Sequence, residues 1–147
     1  MPAFHRTSRI AAAIWAFVLM LGVNMPQVWA EDAPNPAAQA VIDSQIKSFR
    51  SGDHDGAFSH ASPNLQRMFG STDSFITMVK RGYGAIYAAK SWAFGPSRNV
   101  SGTYYQEVQI VGPQGNSWRA LYTMQQQADG SWKITGVQMK RGVAKST

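Results

Sequence analysis

Apolar residues fall into three successive patterns along this chain: an unbroken run near the start, then helical spacing, then alternation. The middle pattern begins after a short Pro-rich stretch, residues 31–36, which reads as a flexible leader. Asn35 before Pro36 has the form of an N-cap and first-turn proline. Ile42, Ile46 and Phe49 then recur every three to four residues as the inward stripe of a helix, and Gly52 supplies its stop. Asp43 lies one turn before Lys47, the favourable order for a surface ion pair. Asp53 caps a second, short helix that turns Ala57, Phe58 and Ala61 inward. Ser62 and Pro63 open a third helix, with Leu65, Met68 and Phe69 as its apolar face and Gly70 at its end. Ser71 or Thr72 caps a fourth, with Asp73 near the positive end of its dipole and Phe75, Met78 and Val79 toward the core. Gly82 and Gly84 close the helical half.

From Ser91 the period changes to two. Trp92 and Phe94 belong to a first strand. Tyr104, Gln106, Val108 and Ile110 share one face of a second, and Trp118, Ala120, Tyr122 and Met124 one face of a third. Trp132, Ile134 and Val137 mark the fourth, where Gly136 reads as a bulge that shifts the alternation. Asp129-Gly130 is a hairpin turn, and residues 112–116 form a longer one around Pro113 and Gly115. Helices followed by a strand meander predict a single α+β domain over residues 37–142, its N-terminal helices packed on a curved four-stranded antiparallel sheet.

The first pattern is of another kind. Arg6 and Arg9 precede an uncharged apolar run from Ile10 to Val23; Asn24, Met25 and Pro26 break it, and Val28 and Ala30 place small residues before Glu31. Residues 1–30 therefore read as a cleavable secretory signal peptide cut after Ala30. The run is shorter than the roughly 20 residues that span a bilayer, so no stable membrane anchor is expected. The separated arginines favour the general secretory route, which leads to the periplasm or the medium.

Export changes what the composition means. The chain has 147 residues, enough for one ordinary domain once the signal is removed. It contains no cysteine, so neither disulfides nor thiolate ligands are available. The net charge is +6, and removal of Arg6 and Arg9 with no acid in that segment leaves +4. The basic residues are scattered, apart from Lys80 with Arg81 and a C-terminal group of Lys140, Arg141 and Lys145 that runs into a basic tail at 143–147. A nucleic-acid module would instead show a basic stripe interleaved with aromatics, so no nucleic-acid partner is expected.

Three stretches carry a resemblance. Phe49-Arg50-Ser51-Gly52-Asp53-His54-Asp55-Gly56-Ala57-Phe58, running on to Ala61-Ser62-Pro63, resembles the helical opening of nuclear transport factor 2-like (cystatin-like) domains. Phe69-Gly70-Ser71-Thr72-Asp73-Ser74-Phe75 with Tyr83, and Gly130-Ser131-Trp132-Lys133-Ile134-Thr135-Gly136-Val137, are similar to segments of an uncharacterised family of exported bacterial proteins within that superfamily. The resemblance implies a cone-shaped fold, often dimeric through its sheet, with a cavity between sheet and helices. It carries over no functional residues.

Enzymes of that superfamily place acids, tyrosines or histidines in the cavity, where burial tunes them for proton transfer. Here Glu107 alternates away from the apolar face, and the other mature acids fall in the leader, at caps, in an ion pair or in a turn. His54 and His60 are six residues apart and cannot share a helix face as a metal pair would. No catalytic residue, metal ligand or cofactor site is assigned on these grounds, although His60 or a tyrosine remains the candidate acid or base of an alternative, isomerase- or dehydratase-like reading. The remaining candidates are aromatic. Tyr83, Tyr87, Trp92, Tyr104, Trp118, Tyr122 and Trp132, with Met124, Gln106 and His60, either line a pocket for an apolar small molecule or fill the core. Gln106, the polar residue on an apolar face, must be hydrogen-bonded, either to a ligand or to Tyr122. Binding of an apolar or amphipathic molecule or a protein partner is the leading expectation, with a structural dimer of filled core as a further alternative.

Overall fold

The computed structural model describes residues 31–142; the signal-peptide segment and the tail at 143–147 lie outside the described residues. Among the described residues, five helices precede four strands. The first is α1 (Pro36–Ser51), where the Asn35 side chain accepts from the Ala38 N–H at 3.1 Å and Gly52 ends the helix at φ 75°. Such a cap contributes about 1 kcal/mol. Ile42, Ile46 and Phe49 form the buried stripe, as the spacing predicts, and Ala38 and Gln45 are buried beside them. α2 (His54–Ser59), α3 (Pro63–Phe69) and α4 (Thr72–Gly82) are capped by Asp53, Ser62 and Ser71.

Two features of the helical half differ from the expectation. α3 contains no fully buried residue, and Met68 on it is 66 % exposed. Leu65, Met68 and Phe69 border a hollow, and Phe69 also packs edge-on against Phe75. A short α5 (Gly84–Tyr87) follows α4 where the two glycines were expected to end helical structure; Tyr83 O accepts from both the Ile86 and Tyr87 N–H groups and restarts the turn.

The strands are β1 (Ser91–Val100), β2 (Thr103–Val111), β3 (Ser117–Gln126) and β4 (Trp132–Arg141), paired in that order as an antiparallel meander. Tyr104, Gln106, Val108 and Ile110 from β2 and Ala120, Tyr122 and Met124 from β3 are all buried on the face toward the helices. On β4 the register slips where Thr135 and Gly136 oppose Thr123, the bulge that the alternation signals. β1 carries a second irregularity between Phe94 and Ser97, which accommodates Pro96 in an edge strand. The β1–β2 turn at Ser101-Gly102 has φ of 50° and 83°, a primed hairpin turn that matches the strand twist.

Both sheet edges are partly covered. Beside β4, the Ser62 N–H donates to Ile134 O at 2.8 Å and the Ile134 N–H to His60 O at 2.9 Å, joining the α2–α3 link to the sheet. Beside β1, the Asp32 N–H donates to Ser97 O at 3.1 Å and the Asp32 carboxylate accepts from the Asn99 N–H at 2.6 Å. The stretch read as a leader is thus tied down at Asp32, and again at Asn35, whose N–H donates to the Tyr104 hydroxyl. Covering edge backbone in this way satisfies groups that would otherwise template aggregation.

Candidate functional site

A pocket of about 240 Å³ lies between the sheet and the short helices. Tyr122, Ile134 and Val137 form its sheet side, Phe75, Met78 and Val79 of α4 one wall, and Leu65, Met68 and Phe69 of α3 its rim. This is where the unfilled face of α3 goes. Gln45 reaches the pocket from α1, its amide held by donation to Ala57 O at 3.1 Å. No Asp, Glu, His, Lys or Arg is among the lining residues. Burying an unpaired charge against such walls would carry a large desolvation cost.

Of the ten side chains expected as pocket candidates, the structure brings Tyr83 and Tyr122 to this hollow. Tyr83 donates its hydroxyl to Val137 O at 2.9 Å, tying α4 to β4. The Tyr122 hydroxyl is buried and has no hydrogen-bond partner in the protein. Burial pushes its pKa up, so it stays protonated.

The other eight lie elsewhere. Tyr104 and Gln106 form a closed network: Gln106 Oε1 accepts from the Tyr104 hydroxyl at 2.6 Å and from Gln39 Nε2 at 3.0 Å, while Gln106 Nε2 donates to Gly95 O and Glu107 O. The amide therefore bonds neither Tyr122 nor an open cavity. Met124 is fully buried, and Trp132 packs edge-on against Tyr104 at 5.9 Å. Trp92 donates its indole N–H to Asp43 at 3.0 Å, beneath the Arg50 guanidinium, and Asp43 also holds Lys47 at 2.7 Å. Trp118 lies under Arg141. Tyr87 shares a hydrogen bond of 2.9 Å with His54 Nε2, in a surface hollow next to Arg50 and Lys90.

His60 caps the end of α2, its Nε2 3.0 Å from Ser44 Oγ. Burial, assisted by the charge of Lys133 and opposed by Asp53, lowers its pKa and favours the neutral ring. It does not line the pocket. No group of three or more His, Asp or Glu residues among those described is arranged to hold a metal ion.

The residues that build the pocket besides the tyrosines carry an ordinary signal in the sequence. Leu65, Phe69, Phe75 and Met78 read as apolar helix faces, and nothing in periodicity separates a face that packs from one that borders a hollow. Only the short length of α3 hints that its face is incompletely covered.

Comparison with known proteins places this geometry. A family model described as a domain of unknown function (DUF4864) matches residues 31–147. No curated protein matches the chain. An NTF-2 like protein of unknown function from Silicibacter pomeroyi is similar in structure at a TM-score of 0.50 and 18 % identity, over 72 % of this chain and 93 % of that one. An NTF-2 like protein of unknown function from Burkholderia xenovorans gives 0.47 and 10 %, over 76 % and 87 %. The order of helices and strands, the inward sheet face and the family match agree: the chain belongs to the DUF4864 family of domains of unknown function and has the α+β fold of nuclear transport factor 2-like proteins.

Proposed function

We propose that this domain is an exported, non-enzymatic binding module that holds an uncharged apolar small molecule in the pocket between α3, α4 and the sheet. One observation carries the reading: the walls of that 240 Å³ space are predominantly apolar and contain no carboxylate, imidazole or amine. A cavity enzyme needs a titratable group poised to take a proton. Tyr122 is held protonated by burial, and His60 is turned to Ser44 outside the pocket. Export is supported by the basic start, apolar run and small-residue exit of residues 1–30.

Native mass spectrometry of the protein purified from its own compartment tests both parts. The reading expects a chain beginning at Glu31 and a retained neutral molecule released on unfolding. A chain still carrying residues 1–30 contradicts export. A mature chain that carries no ligand and takes up no apolar probe contradicts binding.

A further inference from the structure

One of the residues that line the pocket carries a polar loose end. Among the described residues, the Tyr122 hydroxyl is the buried side-chain polar atom without a hydrogen-bond partner. Its buried neighbours in kind are engaged: Gln45 donates to Ala57 O, Ser62 accepts from the Leu65 N–H, Ser97 donates to Asp32 O, and Gln106 uses both ends of its amide. Folded proteins rarely leave such a group unmade, since it costs about 1–3 kcal/mol. Here the residue that bears it also lines the pocket.

Resting on the proposed binding role, we infer that Tyr122 is the polar anchor of the pocket and that its ligand is a small apolar molecule with one neutral acceptor, a ketone, ester or similar carbonyl. A hydroxyl kept neutral by its surroundings offers a proton to an acceptor, and no cationic side chain lines the pocket to balance an anionic one. The size also bounds the ligand. A cavity of ~150 Å³ takes benzene, so 240 Å³ holds about ten non-hydrogen atoms. Tyr122 itself is 0 % exposed, so an acceptor reaches it only as the walls give way. Met68 and Met78 suit that motion, because thioether chains re-pack at low cost.

The test compares tetralin, a bicyclic hydrocarbon, with its ketone α-tetralone. Dissociation constants are measured by calorimetry on the wild-type protein and on Tyr122→Phe, with Tyr87→Phe as a control outside the pocket. The inference expects the preference for ketone over hydrocarbon to fall about tenfold in Tyr122→Phe, with tetralin binding retained, and to persist in Tyr87→Phe. If both probes bind and Tyr122→Phe leaves the preference unchanged, the hydroxyl is met by something other than the ligand; the anchor is then wrong while the pocket stands. If neither probe binds the wild-type protein, the anchor and the binding role fall together.

Discussion

Gln106 and Tyr122 are register partners across β2 and β3, yet no hydrogen bond joins them. The Gln106 amide is drawn instead to Tyr104, two residues along its own strand face, and to Gln39 of α1. The β1–β2 side of the inward face is therefore closed by a satisfied polar network. The β3–β4 side, at Tyr122, borders the pocket and has a hydroxyl without a partner in the protein. Core and site are two halves of one sheet face.

The closed half should be the more sensitive to substitution. Replacing Gln106→Leu strands the Tyr104 hydroxyl, Gln39 and the carbonyls of Gly95 and Glu107, and is expected to cost about 2–4 kcal/mol. Urea unfolding measures it. A loss below about 0.5 kcal/mol would show that the network adds little.

Two tyrosine-to-phenylalanine exchanges should then differ in sign or size. Tyr104→Phe removes the donor to Gln106 and the acceptor for Asn35 N–H, and is expected to destabilise by about 1–2 kcal/mol. Tyr122→Phe removes a hydroxyl with no partner in the protein, so stability stays the same or rises by up to about 1 kcal/mol. Thermal unfolding of the pair decides the matter, and equal losses would contradict the assignment of partners.

His60 gives the fold a pH dependence. Its folded pKa lies below the ordinary 6.5, so the unfolded chain binds the extra proton first as pH falls. The stability contribution is complete above 6.5 and declines as pH drops through the folded value. Denaturant midpoints measured from neutral pH downward should therefore fall, and His60→Gln, which keeps a nitrogen for Ser44, should flatten the slope. An unchanged slope in that variant would assign the effect to other groups.

The contact of Asp32 with β1 makes a local prediction. Asp32→Ala removes the acceptor of the Asn99 N–H, so hydrogen exchange at Asn99 should speed up while global stability changes by less than about 1 kcal/mol. Exchange that slows or does not change would place the leader off the edge strand in solution.

Much of this architecture is legible in the sequence because it rests on local chemistry. Asn35, Ser62 and Ser71 can hydrogen-bond their own helix starts, Gly52 and Gly70 take the left-handed conformation, and the inward alternation on β2 and β3 needs no knowledge of what covers it. The elements that escape have weaker local signals. α5 has four residues and two neighbouring glycines, too few to show a period. The docking of Asp32 on β1 joins positions far apart in the chain. The pocket is hardest for the same reason. Inward direction is a property of a strand, whereas filling depends on where α1 and α3 lie over it. Tyr104 and Tyr122 have the same pattern in sequence and both are buried in the core, and packing alone brings Tyr122 to the edge of the pocket as well.

The claim that the hollow under α3 is a binding site is tested most directly by methyl spectroscopy of methionine-labelled protein titrated with tetralin. The expected result is a saturable shift of the Met68 and Met78 methyl signals, which line the pocket, with Met124, sealed in the core, unmoved. Shifts confined to other methionines, or none at saturating probe, would contradict it.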